Sequence, residues 1–270
     1  MILKRDYIKL SKEEISEYIQ YKKDSNFFDK DGNLKDLKDW SEINLRPNYI
    51  YKHDCLFPNN EVSFLDIEED ENWFKTNLNG LIEVITDNTA TERNILNYIK
   101  KNKASSLVTS LTHYTDFGHH EVFIFPEFQL SNNYQVDFLI IGRASGGYQF
   151  LLIEFENPYG KITTHRGEFS IAINKGIKQI KDWQRWIPKN FNSVHQTLKK
   201  YKGPNKDFPK EFYELDLDRF HYIIVAGRRE DYNDLTYQER RETKKTQNIN
   251  ILHYDNLVEN SRYMIKTKSW

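Results

Sequence analysis

Apolar positions are scattered thinly through the first third of the chain and gather into dense runs after residue 88. Residues 122–128, 135–141 and 148–155 are of strand length, rich in β-branched and aromatic side chains, and bounded by Asn, Ser or Gly. They predict three successive strands. Residues 220–226 predict a fourth strand and residues 248–254 a last one. Between them Ile173, Ile177 and Ile180 recur at helical spacing, which predicts a helix over 170–186. Thr89 and Glu92 have the spacing of a capping box, and Ile95, Leu96 and Ile99 carry that helix to about residue 101. Helix, three strands, helix, then single strands implies an α/β fold with a mixed sheet.

The earlier part of the chain is polar. Residues 12–22 predict a short helix, and residues 48–53 and 61–67 read as strands separated by Pro58-Asn59-Asn60. Asp29-Lys30-Asp31-Gly32-Asn33 resembles the opening of a calcium loop. Its sixth and twelfth positions are Leu34 and Trp40 instead of Gly and Glu, so Asp31-Gly32 is expected to be a turn. The predicted division is an N-terminal region over 1–87 and a second domain over 88–270.

Composition changes this picture little. Hydrophobic residues make up 38% and charged residues 29%, enough for a core. A single cysteine, Cys55, excludes an intramolecular disulfide and fits a reducing cytoplasm. No apolar run approaches the ~18 residues of a membrane span, and the polar sequence after Met1 carries no signal peptide pattern. Charge is more informative. The net of -1 divides into 12 Lys/Arg against 19 Asp/Glu over residues 1–90, and 27 against 21 over residues 91–270. A basic C-terminal part suits a polyanion, and an acidic N-terminal part does not. Basic clusters at Lys199-Lys200-Lys202, Arg228-Arg229 and 240–245 are equally compatible with solvated faces.

The chemistry concentrates in "LLIEFENPYGK", residues 151–161, where an apolar strand delivers Glu154 and Glu156 before stopping at Asn157-Pro158. A hairpin centred between residues 145 and 146 sets Asp137 directly across from Glu154, and the strand period brings Glu156 to the same face. Facing carboxylates repel, and their burial is costly unless a cation compensates. The expectation is a hard divalent cation, Mg²⁺ or Mn²⁺, held by Asp137, Glu154 and the Phe155 carbonyl, and suited to phosphate-ester hydrolysis. Other candidates are weaker. His119-His120-Glu121 precedes a strand whose alternation would split its side chains, and Gly142–Gly147 lacks the strand–loop–helix context of a phosphate loop.

"VDFLIIGRASGGYQFLLIEFEN" resembles the Asp…Glu-x-Lys signature of restriction-endonuclease-like enzymes, with Glu156 where the lysine stands. Gln179-Ile-Lys-Asp-Trp183 resembles the Gln-x-x-x-Tyr motif of the RecB-type branch. Lys175 shares that helix face and is the first choice for the displaced lysine, with Lys161 second. Glu92 is the acid that the first helix of this superfamily often contributes, or simply part of its cap. "FPEFQLSNNYQVDFLIIG", "LLIEFENP", "AINKGIKQIKDWQRWI" and "ILHYDNLV" together resemble the nuclease domain of the Shedu anti-phage defence family over roughly residues 88–260. The resemblance implies a restriction-endonuclease-like fold, Mg²⁺-dependent cleavage of double-stranded DNA, a homo-oligomer (a tetramer) and a variable N-terminal region that controls activity. It points to Asp137, Glu154 and Gln179 and departs from the pattern at Glu156. The readings left open are an active nuclease, a nucleic-acid-binding or regulatory protein of the same fold without catalysis, and a structural assembly component.

Overall fold

A computed structural model describes residues 5–24, 47–115, 120–164, 167–204 and 206–269. The turn expected at Asp31-Gly32 lies outside them. The centre is a five-stranded sheet in chain order: β1 (Glu121–Ser131), β2 (Tyr134–Ala144), β3 (Gly147–Phe155), β4 (Phe220–Val225) and β5 (Ile249–Leu252). The first three strands form an antiparallel meander, and β3, β4 and β5 run parallel. Parallel neighbours need long crossovers, and the chain supplies helices for both. This is the mixed α/β class that the apolar runs predict.

Eight α-helices among the described residues surround the sheet: α1 (Lys12–Asp24), α2 (Asn48–His53), α3 (Phe64–Glu69), α4 (Glu71–Thr86), α5 (Glu92–Lys101), α6 (Ile171–Leu198), α7 (Asp234–Gln247) and α8 (Tyr254–Thr267). Residues Ala104–Tyr114 form a long 3₁₀ segment. One core layer packs Ile173, Ile177, Ile180 and Trp183 of α6 against Leu139, Phe150 and Leu152 of the sheet. The other packs Phe74, Leu78 and Leu81 of α4, Ile95 and Ile99 of α5 and Leu257 of α8 against Phe138, Ile140 and Ile153. The isoleucine stripe that predicts α6 is thus the stripe that α6 buries.

Three expectations are corrected. Residues 48–53 form the helix α2, not a strand. Their Tyr-Ile-Tyr composition favours a strand, but Pro47 sets the entry and the helix buries both Ile50 and Lys52. Residues 61–67 are not a strand either. Glu61 makes a single bridge to Phe123, and a capping box of Ser63 and Asp66 then opens α3. The capping box of α5 is Thr91 with Asn94, not Thr89 with Glu92, because the helix starts at Glu92 itself. Helix α6 also runs past the predicted end at residue 186 to Leu198. Pro188 is accommodated by a break in helical geometry at Asn190.

Residues 47–86 are built into the same body as the sheet. Val62 donates its N–H to the Val122 carbonyl and Ile124 donates to the Asn60 carbonyl, so this stretch lines edge strand β1. Phe57 sits edge-on to Phe123 and Phe125, with centroids 5.1 and 5.0 Å away. Covering an edge strand in this way removes a row of open hydrogen-bonding groups.

Candidate active site

The β2–β3 hairpin fixes the site. Ala144 pairs with Gly147 across the two-residue turn, and the ladder runs without a slip to Phe138–Ile153. Gly147 has φ +99°, and a Cβ there would lie 1.9 Å from the Glu211 carboxylate, so the turn requires glycine. Asp137 and Glu154 are the next residues along, in the register the turn predicts. The ladder ends there, and Asp137 Oδ2 accepts the Phe155 N–H at 2.8 Å.

Beyond that point the strand carries its acids into the interior. Glu154 and Glu156 are only 4% and 1% exposed. Glu156 is held through its backbone: its N–H donates to the Val225 carbonyl at 2.9 Å, and its carbonyl accepts the Tyr254 hydroxyl at 2.7 Å. Glu154 Oε2 and Glu156 Oε1 have no hydrogen-bond partner. Buried polar atoms are nearly always paired, so two orphaned carboxylate oxygens at one strand end require explanation.

Two helices close the site. At the start of α5 the Glu92 N–H donates to Asn157 Oδ1 at 3.0 Å, tying the helix to the end of β3. On α6, Lys175 Nζ lies 3.1 Å from Glu156 Oε2 and 3.6 Å from Glu92 Oε2. The next residue is Gly176. A Cβ there would meet Ile224 Cδ1 at 3.2 Å and Glu156 Oε1 at 3.4 Å, so the helix approaches the acid as closely as a glycine permits. One turn further, Gln179 lines a cleft together with Asp137. Asp137, Glu154, Glu156, Glu92, Lys175 and Gln179, separated by up to 87 positions in the chain, therefore belong to one neighbourhood.

Four carboxylates face one ammonium. Burial is the main force raising the pKa of Glu154, and the charges of Asp137 and Glu156 push it further up. Burial also raises Asp137. The Phe155 N–H opposes that rise, while Glu92 and Glu156 add to it. Glu156 is raised by burial and pulled back by Lys175. As folded, the cluster is short of positive charge. That deficit and the orphaned oxygens fit a divalent cation. Among the described residues no three His, Cys, Asp or Glu close around one point. A hard cation held there would take one or two of these carboxylates and keep waters.

The remaining candidates fall elsewhere. Lys161 is exposed in the loop after β3, and the ammonium facing the acids is that of Lys175. His119 lies outside the described residues. Glu121 accepts the Tyr148 hydroxyl and lies 3.6 Å from Arg143. Arg228 pairs with Asp255 and the half-exposed Arg229 with Glu259, so both cations of that cluster have carboxylate partners within the chain. Sequence reasoning missed Asn157, Gly176 and Tyr254. Asn157 was legible only as the strand's stop.

The five-stranded mixed sheet flanked by helices, with acids collected where the hairpin ladder ends, defines a restriction-endonuclease-like α/β protein. The family described as Shedu protein SduA, C-terminal, matches residues 89–258, and the chain belongs to this family of anti-phage defence proteins. No curated protein sequence matches it.

Proposed function

We propose that the chain is a Mg²⁺-dependent DNA endonuclease acting in anti-phage defence. The observation that carries this reading is the convergence of Asp137, Glu154, Glu156 and Glu92 on Lys175, with two buried carboxylate oxygens left unpartnered. Asp137, Glu154 and the Phe155 carbonyl are the groups that would hold Mg²⁺ or Mn²⁺. When bound, the cation neutralises phosphate charge and makes a nearby water more acidic.

The chain's own residues supply the rest. Glu156 stands where the signature lysine is expected, and its contact with Lys175 supports a lysine relocated to α6 and aimed from the old position. Lys175 is more than half exposed, so its ammonium is free to meet a phosphate while Glu156 limits its swing. Gln179, on the same helix face one turn on, orients the phosphate or the attacking water. Asp137 and Glu154 must both be ionised to act, and their raised pKa values favour protonation when no cation is present. Residues 1–87 serve as a regulatory region, the working unit is a homo-oligomer of the family's tetrameric kind, and the setting is the cytoplasm. Among the described residues no helix is long and apolar enough to cross a membrane.

A second reading, a DNA-binding protein of this fold without catalysis, draws on Glu156 alone. The test incubates the full chain with linear and supercoiled DNA in Mg²⁺, Mn²⁺ or EDTA, beside Asp137→Ala and Glu154→Ala. The nuclease reading expects cutting in either metal, none in EDTA and none in either variant. Tight DNA binding by the wild type without cutting on any DNA form would support the second reading.

A further inference from the structure

Asp137, of the four acids, also borders a cleft of about 700 Å³. Asp137 and Gln179 form one end. From there the cleft runs towards edge strand β1 and the C-terminal end of α5. Its lining is mostly apolar: Leu96 and Ile99 on one side, Pro126 and Phe138 on the other, and the half-exposed ring of Tyr201. Amide side chains of Asn60 and Gln135 interrupt that lining, and Lys100 and Lys103 stand at it.

The cleft is built into the chain. Glu127 lies in β1 between two residues paired to Phe138 and Val136, hence beside Asp137, yet it adopts φ +51°. A non-glycine residue in the left-handed region is strained, and such conformations gather at ligand sites. Around this point the alternation of β1 breaks: Pro126 and Glu127 are both exposed, while Phe125 and Phe128 both enter the same core layer. The kink turns two consecutive residues out of the sheet and gives the cleft a wall. Glu127 then takes Lys100 Nζ at 2.7 and 3.0 Å. Asn60 is tied to the same strand by donating Nδ2 to the Ile124 carbonyl at 2.8 Å, which leaves its own carbonyl oxygen as the side chain's acceptor.

We infer that this cleft binds a single nucleotide unit, with its base between the apolar walls and its phosphate towards Lys103 and Lys100. A volume of about 700 Å³ lies within the 300–1,000 Å³ typical of small-ligand sites. A planar ring suits walls of Leu, Ile, Phe and Tyr, amides suit the hydrogen-bonding edge of a base, and the lysines suit its phosphate. Glu127 is the one carboxylate besides Asp137 in the lining, and Lys100 neutralises it. Two sources share this chemistry: a nucleotide extruded from the strand beside the cleaved bond, or a free nucleotide. The extruded source rests on the nuclease reading, and nucleotide binding itself does not.

The test uses the full chain in EDTA, so that cleavage cannot intervene. dAMP is titrated by calorimetry into the wild type, Asp137→Ala, Tyr201→Ala and Lys103→Ala. Saturable binding by the wild type is expected, weakened about tenfold by Tyr201→Ala through lost stacking. Lys103→Ala should weaken dAMP but not deoxyadenosine, which lacks the phosphate. In parallel, duplex DNA carrying 2-aminopurine reports extrusion by a rise in fluorescence that Tyr201→Ala removes. A rise identifies the strand as the source, and dAMP binding with no rise identifies a free nucleotide. No dAMP binding by the wild type or Asp137→Ala, with no 2-aminopurine rise, overturns the inference. Absence of DNA cleavage by the wild type in Mg²⁺ and in Mn²⁺, with dAMP binding in EDTA intact, would overturn the nuclease reading alone.

Discussion

This molecule has two clusters of buried charge, one beside edge strand β1 and one at the end of β3. In the first, Lys52 is 2% exposed and its ammonium donates to Glu61 Oε2, Asp66 Oδ2 and the Glu61 carbonyl, each at 2.8 Å. Asp66 also accepts the Ser63 N–H and the Asn48 amide. All three donors of the lysine are used and the two neighbouring acids raise its pKa against the effect of burial, while burial and the Asp66 charge still hold Glu61 up at about 7 despite Lys52. In the second cluster, four acids share the single ammonium of Lys175, which is more than half exposed, and two oxygens have no partner. Satisfied ionic clusters hold elements together, here α2 and α3 onto the bridge to β1. In the other, buried carboxylate oxygens are left without partners, which costs stability.

That contrast gives mutations of opposite sign. The largest effect is expected from Lys52→Met, which leaves Glu61 and Asp66 buried without their cation. Such losses cost about 3–5 kcal/mol, read as a lower urea midpoint at unchanged slope. Glu154→Gln should do the reverse. A carboxyl whose pKa is higher in the folded than the unfolded chain favours folding at low pH. The advantage disappears as pH rises from the ordinary value of 4.5 towards the raised one. Without divalent cation, the wild type should therefore lose stability between about pH 5 and pH 8. Glu154→Gln should flatten that slope and be more stable by at least ~1 kcal/mol at pH 8. A wild-type slope identical to that of the variant would remove the contrast.

Lys175→Ala separates stability from function. Lys175 is more than half exposed but its partner Glu156 is buried, so unfolding should move by less than in Lys52→Met without being unaffected. DNA cleavage should fall about 10²–10³-fold, the usual cost of one electrostatic donor. Glu156→Lys is expected to lower cleavage too, because it sets a second cation against Lys175 instead of restoring the signature. A rise in cleavage would show that Lys175 is not the relocated lysine. The smallest effect belongs to Lys100→Ala. Its pair with Glu127 is mostly exposed, and a thermal melt should change little.

How far the sequence carried depends on which force set each element. The three meander strands, their register and the buried stripe of α6 were legible because burial wrote them as periodicity and a short turn. Residues 48–53 and 61–67 were misread because the chain there is governed by one buried lysine. Lys52 finds Glu61 9 residues away and Asp66 14 away, and no local pattern announces that. Helices α4, α7 and α8 went unread. Helix α7 buries little besides Thr236 and Thr243, so its sequence carries almost no apolar stripe. Asp137 and Glu154 followed from hairpin arithmetic, Gln179 from a resemblance to a known motif, and Lys175 from the helix face it shares with Gln179. Asn157 and Tyr254 act through backbone contacts that side-chain chemistry does not encode.

The central claim is that the cluster at the end of β3 leaves buried carboxylate oxygens open to a cation and the Lys52 cluster leaves none. Mn²⁺ titrated into the full chain, followed by its electron paramagnetic resonance signal at pH 7.5, measures this directly. The account predicts saturable binding that Asp137→Ala and Glu154→Gln abolish, that strengthens as pH rises, and that Glu61→Gln leaves in place. Wild-type binding unaffected by Asp137→Ala and Glu154→Gln, or no binding at all, would contradict it.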